Sequence, residues 1–312
     1  MCNIQLRCML SRFRVRLNNA DLSRMSSLLI KILILLGVAA AAVFVLFQLG
    51  SSAASFTFEF REDVIDLNIL NTVRREANVG NLSDVNLDEL STRELLLTMH
   101  SHIDNANTMC NRKIRMGYTG DGGWEICDDP DVRPRVPCII YSFGISYDFS
   151  FDDDAAKLYG CHVYSFDPSM RREKDFYDRS SHVHFYKIGL SGTTYVNQDN
   201  KWLLMTFRDI REKLGHTNTT VDIVKMDIES SEWEALPEMV ASGELRRVKQ
   251  LLLEYHLVDQ TRDYLLPRLK AIQAVESVGF QKFYVHKNHA CTVSSVFPVT
   301  RTRCYEVHYL KR

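Results

Sequence analysis

Net charge is almost absent from this chain. Its 38 lysines and arginines are matched by 39 aspartates and glutamates, a formal charge of −1 over 312 residues, so no bulk electrostatic attraction draws it to nucleic acid. No CxxC pair occurs, and no set of cysteines has zinc-ligand spacing. Internal repeats and low-complexity tracts are missing, and no stretch carries a complete GxGxxG. What remains, with 46% hydrophobic and 25% charged residues, is a globular chain with room for one large or two small domains.

One segment departs from that composition. Residues 32–47 hold no charge, and the surrounding stretch 26–50 is long enough to cross a bilayer as a single helix. Arg7, Arg12, Arg14, Arg16, Arg24 and Lys31 precede it against Asp21 alone, whereas Glu59, Arg61, Glu62 and Asp63 follow it. The basic end is therefore expected to stay cytosolic, as in a type II signal anchor. A cleaved signal peptide is the alternative, since Ser51, Ser52, Ala53 and Ala54 are small, although the apolar part exceeds a usual h-region. The expected organisation is a cytosolic basic tail (1–26), a transmembrane signal anchor (27–49), a stem with a capping helix (50–109) and a folded body (110–312). That body would lie in the Golgi or endoplasmic reticulum lumen or outside the cell. Cys110, Cys127, Cys138, Cys161, Cys291 and Cys304 would then sit where thiols oxidise, with 15 pairings open and a buried thiol as the alternative for Cys161. Sequons at Asn81 and Asn218 agree with that side of the membrane.

The body is organised around residues 138–170, CIIYSFGISYDFSFDDDAAKLYGCHVYSFDPSM. A short apolar run rich in β-branched and aromatic residues stops at Gly144, and a second, residues 162–166, ends in Asp167. Such a parallel pair with a crossover is half of a nucleoside-binding, doubly wound α/β domain. The glycine admits a ligand to the backbone, and the terminal carboxylate suits a ribose diol, or else caps a following helix through Asp167-Pro168-Ser169. Further strands are expected at 183–187, 221–226, 250–253, 280–286 and 304–310, and helices at 87–102, 207–214, 230–242 and 264–278. The loop 116–127 is dense in glycine and contains Trp124, whose flat apolar face is a candidate to border a ligand; a pair of turns stapled by a cysteine explains it equally.

Tyr141-Ser142-Phe143-Gly144-Ile145, Phe166-Asp167-Pro168-Ser169, Lys225-Met226-Asp227-Ile228-Glu229 and Leu253-Glu254-Tyr255-His256, in that order, resemble the FkbM-type branch of Rossmann-fold S-adenosylmethionine methyltransferases. The likeness is strongest to membrane-anchored animal methyltransferase-like proteins, in which a DGGW.IC segment like residues 121–127 precedes the first strand. The resemblance covers roughly residues 110–312. It implies a Rossmann-like, doubly wound seven-stranded sheet with a reversed last strand, S-adenosylmethionine as cofactor and methylation of an oxygen on a small-molecule or glycan acceptor. Gly144 and Ile145 would pass under the methionine portion, Asp167 with Pro168 would meet the ribose, and Gly189 and Leu190 would border the adenine. Asp227 and Glu229 would hold the acceptor, contact the donor or bind a metal, with no metal assigned. His256 or Asp227 would take the acceptor's proton, and Glu254 would orient the histidine or bind substrate. Ser146 and Ser230 stand where many relatives have glycine. A Golgi glycosyltransferase with Asp152-Asp153-Asp154 as its metal motif is the rival reading, although those aspartates also suit the solvated start of a helix. A catalytically silent lumenal binding module is the third.

Overall fold

The computed structural model describes residues 82–293 and 300–312. The anchor, the basic tail and Asn81 lie outside the described residues. The chain divides into units 1–61 and 62–312, and every described residue belongs to the second. Among the described residues no helix is long and apolar enough to cross a membrane.

Helix α1 (Thr92–Ile103) begins at a capping box, in which Ser91 accepts from the Glu94 amide while the Glu94 carboxylate accepts from the Ser91 amide. Its Leu95, Leu96, Met99 and Ile103 are buried in the main core. The helix is thus a packed layer of the domain. An antiparallel ribbon follows, β1 (Lys113–Met116) and β2 (Trp124–Cys127). Next come β3 (Ile139–Phe143), α2 (Ser150–Tyr159), β4 (His162–Phe166), β5 (Phe176–Asp178) and β6 (Val183–Tyr186). A small three-stranded sheet is made by β7 (Gly189–Leu190), β8 (Tyr195–Val196) and β9 (Leu203–Met205). The chain continues through α3 (Phe207–Lys213), β10 (Val221–Met226), α4 (Glu232–Ala241), β11 (Val248–His256), α5 (Arg262–Ser277), β12 (Gln281–Lys287), β13 (Thr292–Val293), β14 (Arg301–Thr302) and β15 (Cys304–Leu310).

The main sheet runs β12-β15-β11-β10-β3-β4-β6-β5. Pairs β11/β10, β10/β3, β3/β4 and β4/β6 are parallel, and β15 is antiparallel to both neighbours. Without β15 and the edge strand β5, the order is sixth, fifth, fourth, first, second, third, which is the doubly wound arrangement. The seven expected strands are present with the last reversed. An eighth, β5, pairs antiparallel with β6; three residues are too few to show an alternating pattern in sequence. Strand β11 extends to His256, so Glu254 and His256 belong to the strand itself instead of following its tip.

Alternation along the strands sorts the two faces. Leu251, Leu253 and Tyr255 of β11 join a core with α1, α3, α4 and α5, while Leu252 faces a second core under α2 and the ribbon. Gln250 docks the ribbon, its side chain bonding both the amide and the carbonyl of Cys127 at 2.8 Å. The cysteines pair as Cys110–Cys127, Cys138–Cys161 and Cys291–Cys304, so Cys161 is not a free buried thiol.

The aspartate run sits at the start of α2, as expected, but only Asp153 and Asp154 reach solvent. Asp152 is fully buried against Ser165, and burial pushes its carboxyl up to about 6. Asp153 pairs with Arg179 at 2.8 Å and Asp154 accepts the Gly117 amide at 3.0 Å. The three carboxylates are spent on different partners, which removes the metal motif of the glycosyltransferase reading.

Candidate active site

A cavity of about 420 Å³ opens at the carboxyl ends of β3, β4 and β10, the point where the strand order reverses. Doubly wound sheets bind ligands there, and this size is ample for a nucleoside. Gly144, Asp167, Pro168, Gly189, Leu190, Asp227 and Glu229 all line it. A second cavity of about 870 Å³ adjoins it, with Pro168, Ile188, Asn200 and Trp202 common to both.

Two loops shape the floor. After β3 the chain turns through Gly144 (φ 70°), Ser146 (φ 43°) and Tyr147 (φ 68°), and after β10 through Glu229 (φ 53°) and Ser230 (φ 81°). Left-handed backbone at non-glycine residues costs roughly 1–3 kcal/mol each and gathers at functional sites. Ser146 and Ser230, expected from the sequence resemblance to replace glycines, thus occupy backbone that favours glycine. Gly144 lines the cavity and serves a second end besides the one read in sequence. A Cβ there would lie 1.6 Å from the Asp227 carbonyl oxygen, so glycine is required by the neighbouring strand as much as by a ligand. Lys225, also buried, ties the same loop down by donating to the carbonyls of Phe143 at 3.3 Å and Gly144 at 2.8 Å.

Asp167 caps no helix; turns, not a helix, follow it. Its Oδ2 accepts the Ser146 amide at 2.8 Å, and its Oδ1 accepts the Ser169 amide at 2.7 Å and hydroxyl at 2.6 Å. An ionised carboxylate offers about four acceptor positions, so roughly one is left for a ligand. The small β7–β9 sheet brings Tyr195, Asn197 and Trp202 to the cavity, a wall that sequence reading did not assign. At Gly189 a Cβ would meet Leu204 and Pro168, which packs this sheet closely on the turn after β4.

Of the residues expected at the site, Ile145, Trp124, Glu254 and His256 are absent from the cavity lining. Ile145 is buried in the second core. Trp124 is 2% exposed, stacked on His308 at 5.4 Å with the Lys225 ammonium 5.3 Å from its ring centroid, and has no free face for a ligand. The glycine-dense loop that precedes it folds around Arg115, which donates to the Tyr118 carbonyl at 2.8 Å and pairs with Glu125 at 2.7 Å.

Beside the cavity lies a row of acids. The register Met226↔Leu253 sets Asp227 next to Glu254, and Glu254 pairs across to Glu306, itself opposite His286. His256 stands behind them, with Nδ1 3.2 Å from Glu232 Oε1 and Nε2 3.8 Å from Asp227, 3.7 Å from Glu229 and 3.5 Å from Glu254. Burial lowers the imidazole pKa, but the Glu232 hydrogen bond and the charges of Glu232, Glu254 and Asp227 outweigh it and carry it to about 9. Burial, then the Asp227 charge, raises Glu254 to about 8, and burial raises Glu306 to about 8. His256 is thus not the free, near-neutral base expected from sequence. Glu232, Glu306, Asn288 (3.3 Å from Glu254) and Asp121 (3.5 Å from Asn288) were not read as site residues. Only strand pairing and loop return bring them together.

A doubly wound sheet with a nucleoside-sized cavity at its switch point and an acid row beside it is the arrangement in which open α/β domains bind ligands. The model of the methyltransferase domain family matches residues 51–311, and the chain belongs to that family. It is 26% identical over 184 residues to "Probable methyltransferase-like protein 24" of Rattus norvegicus, covering 55% of this chain and 48% of the relative. To the Homo sapiens protein of the same name it is 25% identical over 144 residues, covering 43% and 38%. The chain spans about half the length, or less, of these curated relatives. Among solved structures it is similar to the fibrillarin pre-rRNA processing protein of Methanococcus jannaschii (TM-score 0.33, 10% identity, 66% of this chain and 85% of that one). It is also similar to Aeropyrum pernix fibrillarin "in complex with natively bound S-adenosyl-L-methionine" (TM-score 0.31, 11% identity, 65% and 85%).

Proposed function

We propose that this chain is an S-adenosylmethionine-dependent methyltransferase of the FkbM-type, membrane-anchored branch that methylates an oxygen of a small-molecule or glycan acceptor. The observation that carries the reading is the cavity at the switch point, closed on one side by Asp167 and on the other by Asp227. Its residues fit the cofactor. Asp167 keeps an acceptor position for a ribose hydroxyl, Pro168, Gly189 and Leu190 supply an apolar wall for a base, and the left-handed loop at Gly144–Ser146 exposes backbone to the remaining portion. When bound, S-adenosylmethionine supplies a methyl group on a sulfonium. The chain must orient an acceptor oxygen and remove its proton. Asp227 both lines the cavity and reaches the acid row, so it is the carboxylate placed for that work, with Glu254 and His256 as positioning residues behind it.

Calorimetric titration of the full chain tests this reading. S-adenosylmethionine and its demethylated product are expected to bind, and sugar nucleotides with manganese are not. Asp167→Ala removes one charge-assisted bond to the ligand, worth roughly 1.5–3 kcal/mol, so affinity is expected to fall about 10- to 150-fold. No heat from either nucleoside with the unmutated chain would overturn the cofactor; an unchanged affinity in Asp167→Ala would remove that residue from the site.

The same proposal places the body in the lumen or outside the cell, anchored through residues 27–49. Supporting it are the three disulfides, which belong to oxidising compartments, and Asn218, exposed on a turn before β10. Synthesis of the full chain with microsomes is expected to add glycan at Asn218 or Asn81 and to shield the body from added protease. Digestion of the body in sealed vesicles would reverse the orientation.

A further inference from the structure

The geometry points to a divalent-cation site at the carboxyl ends of β10 and β11, built by His256, Asp227 and Glu229, with Glu254 beside the histidine. Nε2 of His256 faces one oxygen of each carboxylate at 3.8, 3.7 and 3.5 Å respectively. Direct charge-assisted hydrogen bonds are shorter, about 2.7–2.9 Å. Ligand atoms sharing one ion through bonds of about 2.1 Å stand roughly 3–4 Å apart, and the Asp227, Glu229 and His256 atoms all lie within 4.8 Å of one another. These distances are those of a coordination shell.

The buried groups are poised for a ligand. Side chains of His256 and Glu254 are only 9% and 6% exposed, and Nε2 of the histidine is turned to the carboxylates of Asp227, Glu229 and Glu254. The other nitrogen, Nδ1, is held by Glu232, whose Oε1 also accepts the His256 amide at 2.8 Å. A carboxylate on the far nitrogen fixes the ring so that Nε2 points at the ion, as metal-binding histidines require. Charge balance points the same way. Asp227, Glu229, Glu232 and Glu254 share a single imidazole, and among the described residues no lysine or arginine pairs with any of them. Glu232 is buried against the imidazole, while Asp227 and Glu229 are open to solvent, so the acids not matched by a base stand at the mouth of the site, where a cation can enter.

Glu229, at 89% exposure, and Asp227, at 32%, open the site to the cavity, which provides the entry path. One imidazole with carboxylates suits manganese or zinc, and the absence of thiolate disfavours softer ions. Cys304, which also lies near Glu254 and His256, is oxidised to a disulfide and contributes no ligand. With an ion held, Asp227 is a ligand and not the free proton acceptor proposed above; the site does not depend on which nucleoside fills the cavity.

The full chain, stripped with chelator and dialysed against manganese or zinc, is expected to retain one ion per chain by atomic emission. His256→Ala and Asp227→Asn are expected to weaken binding more than 100-fold, and Glu232→Gln, which acts only on the ring's orientation, about 10- to 100-fold. Asp227 is partly exposed, so Asp227→Asn is expected to leave the melting curve of the stripped chain unchanged and to keep the test independent of folding. Less than one-tenth of an ion per chain, or retention that these substitutions do not alter, would overturn the site. Titration of the same preparations with S-adenosylmethionine separates the two claims: an ion retained without nucleoside binding supports the site and counts against the cofactor alone.

Discussion

Gly144→Ala is expected to lower the melting temperature by roughly 6–12 °C and to abolish nucleoside binding. The added Cβ would sit 1.6 Å from the Asp227 carbonyl oxygen and 2.7 Å from its carbon, atoms of backbone that cannot swing aside. That backbone is itself fastened, because the Asp227 amide donates to Phe143 and the Gly144 amide to Phe166. The tips of β3 and β10 would have to part. Left-handed backbone costs about 1–2 kcal/mol for alanine and overpacking another 1–3 kcal/mol. A total near 3 kcal/mol corresponds to the stated shift at 2–4 °C per kcal/mol for a domain of this size. Gly215→Ala is the control: its φ is 73°, but nothing lies within 4 Å of a Cβ there. It is expected to show the backbone cost alone and to leave binding intact. Equal shifts for the two variants would show that the contact with Asp227 is of no consequence.

Glu276→Leu is expected to cost about 3–5 kcal/mol, because it strands a buried ammonium. Lys282 is fully buried between α1, α5 and β12, with Nζ 2.7 Å from the His102 carbonyl, 2.6 Å from its Nε2 and 3.4 Å from Glu276 Oε1. Burial already pulls its pKa down to about 8 despite the attraction of Glu276. A base whose folded pKa lies below its unfolded value destabilises the fold while it stays charged, and that burden lifts as pH rises from about 8 towards 10.5. The penalty of Glu276→Leu should therefore be larger at pH 7 than at pH 10. Adding Lys282→Met removes the stranded charge and is expected to recover most of the loss, since apolar replacement of a buried pair is close to neutral. Denaturant melts of the four chains at both pH values decide it, and a double variant no better than Glu276→Leu would sink the idea.

Strands β3, β4 and β10 were legible within a residue, because each is a short, mainly apolar run ended by glycine or a carboxylate, and β15 was legible although Lys311 follows it. Gly243, the expected stop after α4, adopts φ 78°. The three strands β7, β8 and β9 went unread for the opposite reason. Each has two or three residues, too few for an alternating pattern, and they form a separate sheet in which β9 pairs with both others.

For the site, the sequence by itself determined which residues end the parallel strands, and so that Gly144, Asp167 and Asp227 would meet at the switch point. Order along the chain is sufficient there, since each parallel strand must present its carboxyl end at the same edge of the sheet. Only the tertiary structure decided what those residues face. Asp167 is largely taken up by Ser146 and Ser169, Trp124 turns inward onto His308, and Asp152 is buried against Ser165. His256 acquires four carboxylate neighbours, one of them on its own strand and three brought by β10, its loop and α4. Charge, pKa and ligand capacity depend on distances of a few ångströms between groups that mostly lie on different elements, and those distances exist only once the sheet has paired in register.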